Sequence, residues 1–312
     1  MQYSRAVDGL RGIAILLVLL FHFDFLVPFG WVGVQLFFVL SGFLITSILL
    51  KEKSNPLPLY LKRFYWRRTL RIFPLYYLYL GAVGIIYLLG NIPQDYLNVL
   101  PFLATYTFNL YPLIESYSYS DYFFIHFWSL SVEEQFYLVW PILIFACSLK
   151  QLRVVLIILI VLSPLVRFLL TDLLLESGLE PYYVGETVYR FTFSQWDGFA
   201  FGALIPVFSL DKVKIPISKL LLFSSFAVVF LGIWNLYSLH QEGVDISWAS
   251  MGYRIGETKN LQHVWSYTVL DVLFLLLILY SVNIHLGYSW IRDKILSGGF
   301  LVYFGKISYG LY

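Results

Sequence analysis

Two residues near the start of the chain have types and a spacing that can do chemistry. In the stretch AVDGLRGIAILLVLLFH, Arg11 stands in a short charged cluster and His22 ends the apolar run that follows. At about 100° and 1.5 Å per residue the two share one helix face, with the imidazole about 16 Å further along the axis than the guanidinium. That depth puts His22 near the middle of a bilayer, where a polar side chain is costly and marks a functional site by default. The competing reading is a histidine that only bridges two helices by a hydrogen bond.

A second group lies in FYWRRTLRIF. Arg68 and Arg71 are three apart and Arg67 and Arg71 four apart, so a helix here would gather guanidinium groups on one face. Guanidinium forks bind phosphate oxygens bidentately, which makes a phosphate clamp; the plainer alternative is charge that sets topology and touches anionic lipid. A third group, HFWSLSVEEQFYLVWP, collects His126, Ser129, Glu133 and Glu134. Adjacent glutamates point about 100° apart, so one can face inward while the other looks to an interface. No metal is expected, because His126 and the glutamates lack a recognised ligand spacing. Asp197, in QWDGFAFGALIP, is a candidate buried charge, while Gly30, Gly33, Ser41 and Gly42, with Gly198 and Gly202, are small residues that let membrane helices approach. His240, His263 and His285 read as solvated or satisfied, and Cys147 as a small buried packing residue.

The elements that hold these residues must be transmembrane helices. Of the 312 residues 59% are hydrophobic and 13% charged, which excludes a soluble globule. The net charge of +2 gives no reason to expect nucleic acid. Apolar stretches near the roughly 20 residues a crossing requires run from Leu10 to Val27, Val32 to Leu50, Ile72 to Leu89, Trp128 to Leu149, Val154 to Leu173, Phe191 to Leu210, Ile217 to Leu239 and Val264 to Ile284. The expectation is an all-α, polytopic helix bundle of about 9–10 crossings, filling residues 1–312 as a single membrane domain. The basic segment between the second and third stretches sets that loop, and with it the N-terminus, on the cytoplasmic side.

Tyr96 to Pro112 is short and polar and contains Pro101. It either crosses or is re-entrant, and the positive-inside rule favours the re-entrant path. The aromatic cluster SYSYSDYFFIHFW suits an interfacial belt or a sugar-stacking surface. A last apolar helix starts near Gly299 and has only about 14 residues before Tyr312, short of a full span, so the sequence reads as a fragment.

Taken together and in order, these pieces resemble the membrane-bound acyltransferase family often called acyltransferase family 3, which includes bacterial O-acetyltransferases acting on peptidoglycan, lipopolysaccharide O-antigen and exopolysaccharide. The resemblance rests on DGLRGIAILLVLLFH, GVQLFFVLSGFLI, RRTLRIFPLYY, FWSLSVEEQFYLVWP, WDGFAFGALI and FGKISYGLY. It implies an enzyme of a bacterial plasma membrane that moves an acyl group, acetyl in kind, from cytoplasmic acyl-CoA to a hydroxyl of a carbohydrate or glycolipid acceptor, among membrane lipid. Arg11 and His22 then belong to the active centre. Arg68 and Arg71, with Arg67 beside them, hold the acyl-CoA, and Glu133 is the first glutamate of the WSLxVE motif, orienting or tuning the imidazole. Two departures stand out: Gln35 replaces an acidic residue, and the continuation LYLxHxP is absent. The alternatives are a transporter or flippase for a lipid-linked glycan, and a non-catalytic acyl-CoA-binding member of the family.

Overall fold

A computed structural model of the protein describes residues 4–23, 27–90, 96–114, 124–244 and 247–311. Among the described residues there is no strand, and the chain is all-α. Among the described residues five helices are long and apolar enough to cross a membrane: Pro28–Glu52, Leu57–Leu88, Leu149–Glu176, Ile217–Gln241 and Lys259–Val282. The chain is a multi-pass helical membrane protein.

Two compact units form. The first holds Met1–Ser47, Leu149–Tyr189 and Phe193–Tyr312; the second holds Ile48–Ser148 and Arg190–Thr192.

In the first unit, α1 (Arg5–His22) is an unbroken 18-residue helix, which fixes the common face of Arg11 and His22. Helix α2 (Val32–Glu52) enters from a 3-10 turn at Pro28–Trp31 and is buried along most of its length. Helix α6 (Leu149–Glu176) ends where Gly178 adopts φ +86°. There the Leu179 N–H reaches back to the Leu174 carbonyl at 3.2 Å, a helix stop that a residue with a Cβ disfavours. Pro181 then opens α7 (Pro181–Arg190), where its missing N–H costs nothing.

The run from Phe191 to Leu210, long enough on paper to cross, forms a 3-10 turn at Thr192–Ser194 and then a helix α8 of only 13 residues (Trp196–Phe208). Its length of about 20 Å falls short of a hydrocarbon core. The break has a local cause in Gln195, whose buried side-chain amide donates to the Tyr189 carbonyl at 2.5 Å and offers the backbone a non-helical arrangement. Helices α9 (Ile217–Gln241), α10 (Gln262–Val282) and α11 (Gly299–Leu311), with a π-helical turn at Ile291–Leu296, complete this unit. Helix α8 crosses α2 at glycines. A Cβ on Gly42 would run into the Phe199 carbonyl, and one on Gly202 into the Val39 carbonyl, as the small-residue reading of both stretches requires.

In the second unit, the basic segment is a loop only at 53–56. Pro56 caps α3 (Leu57–Leu88), whose 32 residues reach about 48 Å, so the arginines ride on a helical extension of an apolar span. Tyr96–Pro112 divides into α4 (Tyr96–Ala104), nine residues long, and a 3-10 turn at Phe108–Leu113. Neither piece approaches the length of a crossing helix. Helix α5 (Phe127–Ala146) carries the paired glutamates and is capped by Cys147, which is part-exposed there. The expectation of a buried packing cysteine is therefore corrected: α5 ends one residue earlier, and the Cys147 carbonyl accepts from Lys53 Nζ. Most of the aromatic cluster lies outside the described residues, at 115–123.

Candidate functional site

The second unit holds an arginine-lined cavity. Because α3 is helical throughout, Arg63, Arg67, Arg68 and Arg71 come round to one side and, with Glu52, Tyr60, Phe64, Ile48 and Leu49, enclose about 180 Å³. Four guanidinium groups against one carboxylate make this cavity strongly cationic. The carboxylate is engaged: Glu52 Oε2 accepts from Arg63 Nη1 at 3.3 Å and from Asn55 Nδ2 at 2.8 Å. Arg68 is held by stacking, its guanidinium carbon 5.0 Å from the centre of the Tyr137 ring and 5.9 Å from that of Phe64. A cation over an aromatic face is attracted by the negative face of the ring.

Glu133 joins the same group through α5. Tyr137, one helical turn on, donates its hydroxyl to Glu133 Oε2 at 3.2 Å while its ring supports Arg68. A closed polar ring around Gln135 also ties down α5. Gln135 Nε2 donates to the carbonyl of Tyr106 and to Asn109 Oδ1, both at 2.8 Å. Asn109 Nδ2 donates to Thr192 Oγ1 at 2.8 Å, and Thr192 returns its hydroxyl proton to Gln135 Oε1 at 2.5 Å.

Arg11 and His22 belong to the first unit. His22 is the last residue of α1 and is exposed, so the imidazole stands at the far end of the helix. Its Nδ1 lies 2.8 Å from the Val18 carbonyl. A carbonyl only accepts, so Nδ1 carries the proton and the neutral ring keeps its lone pair on Nε2. Arg11 is half-buried, with Nη1 3.5 Å from Asp8 Oδ1 and Nη2 2.9 Å from Ser308 Oγ.

The first unit also contains a buried charge network that the sequence reading reached at one residue only. Asp197 is fully buried, as expected, and is paired with Arg167 of α6, also fully buried. Arg167 further donates through Nε to the Ser194 carbonyl at 2.8 Å, and through Nη1 to the Val264 carbonyl at 2.7 Å and Thr268 Oγ1 at 3.0 Å. Its guanidinium carbon sits 5.0 Å from the centre of the Tyr267 ring. Thr268 in turn donates to Asp197 Oδ2 at 2.7 Å. A second carboxylate, Asp271 of α10, is buried nearby, with both oxygens within about van der Waals reach of the space beside Gly198. The signal for Arg167 was in the sequence, a lone arginine inside VVLIILIVLSPLVRFLLTDLLL, where an intramembrane charge demands a partner.

His263 Nε2 lies 2.7 Å from Thr171 Oγ1, while its buried Nδ1 makes no hydrogen bond among the described residues, and His285 Nε2 lies 2.9 Å from the Lys212 carbonyl. Among the described residues no group of three or more histidine, cysteine or acidic side chains is arranged to hold a metal ion.

A family model described as an acyltransferase domain matches residues 4–312. The chain is 34% identical over 204 residues to the peptidoglycan O-acetyltransferase OatA of Listeria monocytogenes, a match covering 60% of this chain and 32% of that protein. It is 33% identical over 232 residues to the putative peptidoglycan O-acetyltransferase YrhL of Bacillus subtilis, covering 70% of this chain and 36% of the relative. It is 36% identical over 152 residues to the putative O-acetyltransferase SAS0844 of Staphylococcus aureus, covering 46% and 25%. The chain thus spans about a third of the length of the first two relatives. No solved structure matches it.

Proposed function

We propose, from the premise that the chain belongs to the acyltransferase family whose model matches residues 4–312, that it is a plasma-membrane O-acetyltransferase with a cytoplasmic N-terminus, moving an acetyl group from acetyl-CoA to a hydroxyl of a cell-envelope carbohydrate. The observation that carries this reading is the cavity lined by Arg63, Arg67, Arg68 and Arg71. Coenzyme A ends in three phosphate groups, and a cluster of planar guanidinium forks is the side-chain chemistry best matched to them.

The reacting base is His22. With Nδ1–H directed at the Val18 carbonyl, Nε2 is the atom that works. In one route Nε2 takes the proton of the acceptor hydroxyl as its oxygen attacks the thioester carbonyl, the carbon–sulfur bond breaks, and the imidazolium returns that proton to the departing thiolate. In the other, Nε2 attacks the carbonyl itself, the carbon–sulfur bond breaks, and the acceptor oxygen then takes the acetyl group from the ring while the hydroxyl proton passes, directly or through solvent, to the thiolate. Both routes give the ester and free thiol, and both gain from the Val18 carbonyl, which accepts from Nδ1–H while positive charge develops on the ring.

Arg11 shares the His22 face but lies about 16 Å back along α1, too far to touch a carbonyl at Nε2. We assign it to the donor, holding an anionic or carbonyl group of the coenzyme. Glu133 is proposed to orient or tune the imidazole when donor and acceptor are bound. The acceptor is taken as a peptidoglycan-type glycan because the relatives OatA and YrhL carry that substrate in their names.

The test is kinetic. Arg68→Lys and Arg71→Lys keep the charge and lose the fork. Each should raise the KM for acetyl-CoA by about tenfold or more with a smaller change in kcat, the cost of a charge-assisted hydrogen bond. Unchanged donor KM in normally expressed protein, or no release of thiol from acetyl-CoA by the parent, would overturn the reading. A glycan transporter should give the second result.

A further inference from the structure

Helix α11 lies against α1 at backbone distance. A Cβ on Gly9 would collide with the Leu296 carbonyl, one on Gly12 with the Leu301 carbonyl, and one on Gly305 with the Asp8 carbonyl. Glycines on both helices therefore permit an approach that side chains would block. The approach brings together two groups 297 residues apart in sequence, Arg11 Nη2 and Ser308 Oγ, at 2.9 Å.

The direction of this hydrogen bond follows from the Ser308 hydroxyl. Ser308 has a single hydroxyl proton, which goes to the Gly305 carbonyl at 2.9 Å. Its lone pairs then face Arg11, which can only donate. Ser308 is 2% exposed, so water does not compete for those lone pairs. The other terminal nitrogen, Nη1, meets Asp8 Oδ1 at 3.5 Å, a loose ion pair between partly exposed groups and worth little by itself. The Ser308 contact thus ties the guanidinium to α11, beside the looser ion pair within α1.

We propose that Ser308 is the positioning residue for Arg11, so that α11 sets the geometry with which α1 presents its cation to the acyl donor. The inference rests on the assignment of Arg11 to the donor. Ser308 itself touches no substrate; it acts by restricting the rotamers of a long side chain, whose freedom would otherwise be lost at each binding event.

The experiment uses the full chain reconstituted in phosphatidylcholine vesicles, with release of thiol from acetyl-CoA as the readout and the thermal midpoint measured beside it. Ser308→Ala should raise the KM for acetyl-CoA about tenfold, the scale of one hydrogen bond to a charged group, at nearly parental kcat and midpoint. Ser308→Thr keeps the acceptor oxygen and should stay within about twofold of the parent. Arg11→Ala should be at least as impaired as Ser308→Ala, and the double variant no worse than Arg11→Ala alone, because a positioning residue has nothing left to position.

A parental KM in Ser308→Ala beside an impaired Arg11→Ala, additive losses in the double variant, or equal damage from Ser308→Thr and Ser308→Ala would each overturn the proposal while leaving the donor role of Arg11 standing. A parental KM in Arg11→Ala would instead remove that role and the inference with it. Should Ser308→Ala fail to fold, Ser308→Cys, with its weak sulfur acceptor, replaces it and should fall between Thr and parent on one side and Arg11→Ala on the other.

Discussion

The buried pair Arg167–Asp197 allows a prediction in which the structure sets the magnitude. Replacing Arg167 with Met preserves much of the side-chain volume but removes the donor to four acceptors: Asp197 Oδ2, Thr268 Oγ1 and the carbonyls of Ser194 and Val264. Asp197 keeps two donors, the Thr268 hydroxyl at 2.7 Å and the Gly198 N–H at 3.2 Å, but loses its counter-charge while fully buried. Breaking a buried pair from one side costs about 3–5 kcal/mol, mostly for the charge left behind. That is about two to nearly four orders of magnitude in the unfolding equilibrium. Removing both charges in Arg167→Met/Asp197→Leu takes away the stranded ion as well, so the double variant should lie within about 1–2 kcal/mol of the parent, far from the sum of the single losses. Asp271→Asn should cost less than about 1 kcal/mol, because the Arg167 guanidinium is already committed to Asp197 and has little left for a second carboxyl group. The assay is reversible unfolding in mixed micelles titrated with dodecyl sulfate. A loss below about 1 kcal/mol for Arg167→Met, or a double variant that loses the full sum, would show that this pair is hydrated or dispensable and refute the reasoning.

His22→Ala should lower acetyl transfer about 100-fold or more with the helical signal and thermal midpoint unchanged, since His22 is exposed at the end of α1 and packs little; activity within about twofold of the parent in a purified-protein assay would sink its role as base or acyl carrier. The path of Tyr96 to Pro112 is testable by labelling: in a Cys147→Ala background, a cysteine at Gln151 should resist an impermeant thiol reagent applied outside the cell, and outside labelling would mean that the segment crosses.

Much of this architecture was legible because bilayer length and apolar runs leave few choices. The helical spacing of Arg67, Arg68 and Arg71, the glycines of the α2–α8 crossing and the burial of Asp197 all follow from periodicity and from the cost of charge in an apolar run. What escaped was pairing at a distance. Nothing local to Arg167 names Asp197, 30 residues on, as its partner, and nothing in FGKISYGLY tells that Ser308 meets Arg11. The overreach at Phe191 to Leu210 has a simpler cause. Hydropathy counts Gln195 and Thr192 as minor interruptions, whereas their side chains make hydrogen bonds that end helical backbone.

The four guanidinium groups around the cavity of the second unit have no means of telling one phosphate from another. Recognition by charge and fork geometry is general to phosphomonoesters, pyrophosphates and acidic lipid headgroups, and exposed charge is screened within about 10 Å at 0.1 M salt. If the cavity is the acetyl-CoA site proposed above, buffer anions and phosphatidylglycerol should compete with the donor there, and the apparent donor affinity would be a joint property of the protein and the bilayer that surrounds it.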